Sequence, residues 1–160
     1  MTDLYKSLNF ADAFAIQLPS SASSDPDLLA RHILGNQPSW IGYLTKIRDA
    51  IVVFFGLKTA RHLATLSSDA KTKRIGIFKV YSTSNTEIVL GEDDKHLDFR
   101  VSVLCSGKTT SKIGRQLTFS TVVHCHNLLG RAYLWVIPPL HRLVVKASLR
   151  RAAHVGWPEA

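Results

Sequence analysis

The last long element sets the strongest limit on what this chain can fold into. From Asn127 to about Ala153, apolar residues recur at helical spacing through Leu128, Tyr133, Ile137, Leu140, Val144 and Ala147. Asn127 is an acceptable N-cap, its short side chain being able to bond a free amide of the first turn. A helix of that span is roughly 40 Å long. Pro138-Pro139 must bend it, because each proline removes one intrahelical hydrogen bond. Such a rod has to bury its apolar stripe against something of comparable length.

The rest of the chain supplies a sheet. Residues 75–81 and 86–90 carry strand patterns around the turn residues Ser82-Thr83-Ser84-Asn85. Residues 96–105 and 116–125 follow as a second pair, joined by the Gly-, Lys- and Thr-rich stretch 107–114. Earlier, residues 13–18 read as a strand stopped by Pro19. Asp25 caps a helix with Pro26 at its first position and Gly35 at its end. A second helix starts near Ser39, with Trp40, Ile41, Leu44, Ile47, Ile51, Val52 and Phe55 as its stripe and Gly56 as its C-cap. Residues 59–74 are polar and loop-like. The order predicts an α+β domain: a curved antiparallel sheet wrapped around the C-terminal helix, with two short helices after the first strand. A gap between sheet and helix is where a small ligand would sit.

Composition fits one domain over residues 1–160. Hydrophobic residues are 46% and charged residues 20%, too apolar for a disordered chain. Two cysteines, Cys105 and Cys125, exclude a disulfide scaffold. No apolar run approaches the length of a membrane-spanning helix. The opening MTDLYKSLNF has an acid at Asp3 and no apolar core, so no secretory signal is expected and a cytoplasmic location is. The net charge is +8, concentrated late: from Cys105 onward, eight cations stand against Glu159 alone. Arg142, Lys146, Arg150 and Arg151 fall on the outer side of the last helix. That face suits phosphate, nucleic acid or an anionic membrane, and equally an ordinary solvated helix end. No aromatic residues interleave those four cations, so nucleic acid is not expected, and membrane contact is the less favoured use.

Two stretches carry a resemblance: GEDDKHLDFR over 91–100, and NLLGRAY at 127–133 with PPLHR at 138–142. Together they resemble an uncharacterised bacterial family of unknown function, found alone or behind a short-chain-dehydrogenase-like domain. The likeness runs from the first strand to the last helix. The element order is also similar to the START and polyketide-cyclase-like (SRPBCC) superfamily, the helix-grip fold. That resemblance implies a cavity for an apolar or amphipathic molecule. The superfamily contains enzymes, lipid carriers and pure binders, so fold leaves function open. No Gly-x-Gly-x-x-Gly motif is present, and no cofactor is expected.

Strand alternation then sorts the candidates. Leu97, Phe99, Val101 and Val103, with Leu117, Phe119, Thr121, Val123 and Cys125, share the core side. The other side collects His96, Asp98, Arg100 and Ser102 with Thr118, Ser120, His124 and His126. His96, His124 and His126 could hold a metal with Asp98 orienting one imidazole. His96 and Asp98 could instead be an acid/base pair, with Arg100 binding an anion. The plain alternative is a solvated sheet face on which Asp98 and Arg100 form a surface ion pair worth about 0–1 kcal/mol. Metal is not expected, since His-x-His on a strand is a weak signal.

On the last helix, Tyr133 brings a hydroxyl into the expected cavity, either to orient a ligand or to bond a backbone carbonyl. His141 can satisfy carbonyls freed by the proline bend. Trp40 and Trp135 fit a core better than a ligand shelf. Cys105 and Cys125 lack a neighbouring base and are expected to be inert. Asp93-Asp94 decorates a turn.

The residues expected to touch a ligand are therefore Tyr133, His96, Asp98, Arg100, His141 and Trp40, with no catalytic residue assigned. The expected function is binding of a small hydrophobic or amphipathic molecule. The alternatives are a cyclase, hydratase or isomerase using the same cavity, and a regulatory interaction domain acting through its basic face. Oligomeric state is not legible in the sequence.

Overall fold

A computed structural model describes residues 8–44, 46–47, 73–107 and 114–159. The elements are β1 (Phe10–Leu18), α1 (Pro26–Gly35), β2 (Arg74–Ile75), β3 (Phe78–Thr83), β4 (Glu87–Asp93), β5 (Leu97–Ser106), β6 (Arg115–Cys125) and α2 (Leu128–Val155). The strands form one open six-stranded sheet in the order β1-β6-β5-β4-β3-β2. Every pairing is antiparallel. The class is α+β.

Capping fixes both helix starts. The Asp25 carboxylate accepts from the Asp27 amide at 2.9 Å, and Pro26 opens α1 without losing a needed donor. Asn127 Oδ1 accepts from the Gly130 amide at 3.1 Å and starts α2. The helix carries Pro138 and Pro139 in its interior and continues through them to Val155. No helix among the described residues is long and apolar enough to cross a membrane.

Register carries the alternation across the sheet. Phe10, Asp12, Phe14 and Ile16 stand opposite Val123, Thr121, Phe119 and Leu117. Leu97, Phe99, Val101 and Val103 stand opposite Cys125, Val123, Thr121 and Phe119. All of these lie on the inner face. Leu29 and Ile33 of α1, with Val145, Leu149 and Ala152 of α2, pack there against Ile75, Ile88, Leu90, Val103 and Leu117. The core thus sits at the C-terminal end of α2, where α1 also covers the sheet. A smaller cluster of Leu97, Val123, Cys125 and Tyr133 ties down the N-terminal end.

Three expectations change. The single strand over 75–81 is two strands: Gly76, at φ 58°, turns the chain between Ile75 and Phe78, which pair with each other. The first strand begins at Phe10, not Ala13. Trp135 is no core residue, being 87% exposed, and Trp40 is 37% exposed. Both sit on helical backbone whose inward positions belong to other residues. The helix expected from Ser39 is present at 40–44 and 46–47. Its continuation to Phe55 and Gly56, the polar stretch 59–72 and the turn residues 108–113 lie outside the described residues.

Candidate functional site

Between the inner sheet face and the helices lies a cavity of about 480 Å³. Its floor is apolar, from Phe78, Phe99, Val101, Phe119 and Val123. Its roof is the underside of α2, from Tyr133 through Ile137 and His141 to Val144 and Ser148. Tyr133 and Ile137 pack on the sheet toward the start of α2 and Val145, Leu149 and Ala152 toward its end, and the cavity lies beneath the stretch of α2 that contains the two prolines. Ile33, Leu34, Gln37, Ile41 and Leu44 close the side.

Polar groups are few and grouped. At one end, His141 and Thr121 line the cavity, and Asp12, opposite Thr121 on the inner face, lies behind them outside the lining. His141 Nε2 lies 3.1 Å from Thr121 Oγ1 and 3.5 Å from Asp12 Oδ1. Arg142 Nε is 3.8 Å from Asp12 Oδ2. The Asp12 side chain is only 9% exposed, yet neither oxygen completes a hydrogen bond. Its neighbours, His141 and Arg142, stand at contact range without aligned donors. The Phe10 ring meets the His141 imidazole edge-on, with centroids 6.0 Å apart, and fixes the plane of the ring. His141 Nδ1 makes no hydrogen bond among the described residues. Further along α2, the Ser148 hydroxyl is buried in the cavity wall and also has no partner.

This arrangement can do two things. The free imidazole nitrogen of His141 and the unpartnered Ser148 hydroxyl can hold a hydrogen-bonding head group while the apolar floor takes the remainder of a molecule. A carboxylate beside one imidazole nitrogen also favours the proton on that nitrogen, which leaves the other as a base.

At the other end, Glu92 stands on the inner face and pairs with Arg74 at 3.1 Å, both side chains about nine-tenths buried. Arg74 Nη1 also donates to the Ile77 carbonyl at 2.7 Å and holds the β2–β3 turn. Glu92 and Asp94 both line the cavity.

Tyr133 and His141 are in the cavity wall. His141 spends Nε2 on Thr121 and Asp12 rather than on carbonyls freed by the prolines. Trp40 is not among the lining residues. His96 sits at the start of α2, where the Asn127 amide donates to its Nδ1 at 2.8 Å. Asp98 pairs with His126 Nε2 at 3.0 Å and accepts from the Asp94 amide. Arg100 lies on the outer face. These three do not meet at the cavity.

The expected Asp98–Arg100 pair is not formed. Arg100 Nη2 reaches Asp93 Oδ1 at 2.6 Å, and its guanidinium stacks 3.6 Å from the Tyr81 ring centroid. The Tyr81 hydroxyl donates to the other Asp93 oxygen at 2.6 Å. Asp93 is thus part of a network, not turn decoration. Burial and the bond to Asp93 push the Tyr81 phenol well above its usual range. Burial alone would raise Asp93, but the hydrogen bonds from Tyr81 and Arg100, with the Arg100 charge, bring its carboxyl below the usual value. Nor is the outer face simply solvated: Arg100 is 8% and Ser102 1% exposed, and Ser102 donates to Glu87. His124 and His126 stack edge to face at 5.2 Å. Among the described residues, no three His, Cys, Asp or Glu side chains gather as a metal would require. Burial pushes both thiols, Cys105 and Cys125, above their usual range.

Asp12, Thr121 and Ser148 were not among the candidates. A signal existed for two of them. Asp12 interrupts the inward series Phe10, Phe14, Ile16, and Thr121 interrupts Leu117, Phe119, Val123. A polar residue at an inward strand position must find a partner or serve a site.

Residues 4–148 match the family model DUF2867, described as "Protein of unknown function". No curated protein and no solved structure matches the chain.

Proposed function

The chain belongs to the DUF2867 family of unknown function, and we propose that it binds a small hydrophobic or amphipathic molecule in the cavity between sheet and C-terminal helix, in a helix-grip arrangement. One observation supports this above the others. A cavity of about 480 Å³ with apolar walls has His141, Thr121 and the unpartnered Ser148 hydroxyl in its lining, with the buried Asp12, whose oxygens complete no hydrogen bond, set behind His141 and Thr121. A packed interior normally satisfies such atoms or does without them. His141, Thr121 and Ser148 would receive the polar head, and Phe99, Phe119 and Val123 the apolar body.

The neutral fluorophore N-phenyl-1-naphthylamine, an aromatic amine with one N–H donor, tests the reading. The wild type brightens it with one-to-one saturation. Val144→Trp, which fills the roof, weakens that binding at least about tenfold, a loss of about 1.4 kcal/mol, with the circular dichroism spectrum retained. Equal binding by both proteins, or no saturable binding, ends this reading.

A second reading, proton-transfer catalysis in the same cavity, is favoured by the unengaged Nδ1 of His141 beside Asp12. Its probe is the apolar ketone 2-tetralone in heavy water, followed by proton NMR. His141 would take a proton from the carbon beside the carbonyl, and the resulting enolate would recover deuterium from the exchanged imidazole. The expected result is exchange faster than in buffer, falling by about 10²–10⁴ in His141→Gln. Binding of the ketone with no faster exchange removes the enzyme and leaves the binder.

A further inference from the structure

We propose that the outer face of α2 docks on an anionic lipid surface. The 28 residues of α2 contain Arg131, Arg142, Lys146, Arg150 and Arg151 and not one Asp or Glu. All five cations are exposed. Leu128, Trp135, Pro139, Arg142, Lys146 and Arg150 follow at spacings of seven, four, three, four and four, so they form one solvent-facing stripe. The stripe changes chemistry along its length. Its first half is apolar, with Leu128 78% and Trp135 87% exposed and Val136 and Leu143 exposed beside them. Its second half is cationic.

The charges decide which occupant fits. A second copy laid on this face would set cations against cations if parallel, and against an apolar half with no counter-charge if antiparallel, since α2 holds no Asp or Glu. A nucleic acid would use the cations but leave Leu128, Val136 and Leu143 in water. An anionic bilayer uses both halves: the headgroups face the cations while Trp135 and its apolar neighbours enter the interface. Arg142 and Lys146 also lie 5.7 Å and 5.6 Å from the Phe10 and Phe14 rings, and Arg142 faces Asp12, so part of their charge is spent within the fold. Arg131, Arg150 and Arg151 have no acidic partner among the described residues.

The test is cosedimentation of the full chain with vesicles of phosphatidylcholine, alone or mixed with phosphatidylglycerol. Binding is expected to the mixed vesicles and not to the neutral ones. Replacing both Arg150 and Arg151 by Gln is expected to lower the partition coefficient about twenty-five-fold, at about fivefold per charge. Trp135→Ser is expected to lower it about tenfold through lost apolar burial. Both positions are exposed, so the variants fold, and unchanged circular dichroism checks this. Equal binding to neutral vesicles, no binding to either, or partition unmoved by these changes overturns the proposal. So does analytical ultracentrifugation showing a dimer in which Trp135 is shielded from acrylamide, or nucleic-acid binding that survives Trp135→Ser in the absence of vesicle binding.

Discussion

Replacing Gly130 by valine is expected to destabilise the domain by about 3 kcal/mol or more, lowering its melting temperature by roughly 10 °C. A Cβ at Gly130 would collide with the backbone carbonyl of His96 and press on the Cys125 side chain. A backbone carbonyl has no rotamer with which to yield, and this one is already bonded to the His126 amide at 2.9 Å. The helix start would therefore have to lift. Lifting it breaks the Asn127 cap on the Gly130 amide and the Asn127–His96 contact together. Gly130→Ala separates the causes. Alanine is the better helix former by about 1 kcal/mol, so a stability gain would show that the close approach is unimportant, and a loss that it governs. The cavity shares the consequence, because Tyr133 sits one turn further along and anchors that end of the roof. N-phenyl-1-naphthylamine affinity should fall with the unfolding midpoint, both read by fluorescence.

The parts of this fold that follow from local chemistry were legible before any coordinates. Asp25-Pro26 and Asn127 each offer a short polar cap ahead of an apolar stripe, and both helices start there. Alternation in β5 and β6 assigned the inner and outer faces correctly, since a one-residue slip would reverse every side chain. What escaped was set by contacts between distant segments. Arg100 pairs with Asp93, its diagonal neighbour on β4, where Tyr81 stacks on the guanidinium and bonds the same carboxylate, while Asp98 is taken by His126. Trp135 looks like a core residue by composition but points away from the stripe of Tyr133 and Ile137. His96 and His141 are equally polar on paper. Only the packing of α2 places one at a helix start and the other over Asp12.

Arg115 begins β6 and is 8% exposed. Its guanidinium donates to the Ala22 carbonyl, to the Ser23 carbonyl at 2.8 Å and to Ser24 Oγ at 2.7 Å. Ala22 and Ser23 are themselves buried, so these carbonyls have no water to turn to. The same short segment joins β1 to the cap of α1, and it also receives the C-terminus: the Ser23 amide donates to the Pro158 carbonyl at 2.7 Å, and Ala22 bridges Glu159. Arg115→Met keeps length and apolar packing but leaves two buried acceptors unpaired. Each costs about 1–3 kcal/mol, so a loss of about 4 kcal/mol is expected in urea unfolding. Arg115→Lys should recover only part of it, because one ammonium cannot address carbonyls that a planar fork spans. A loss below about 1 kcal/mol for the methionine variant would mean that the segment finds other donors. A loss of about 4 kcal/mol would mean that the two buried carbonyls of the β1–α1 connection rely on the Arg115 fork, although the Ser23–Pro158 bond also holds that segment.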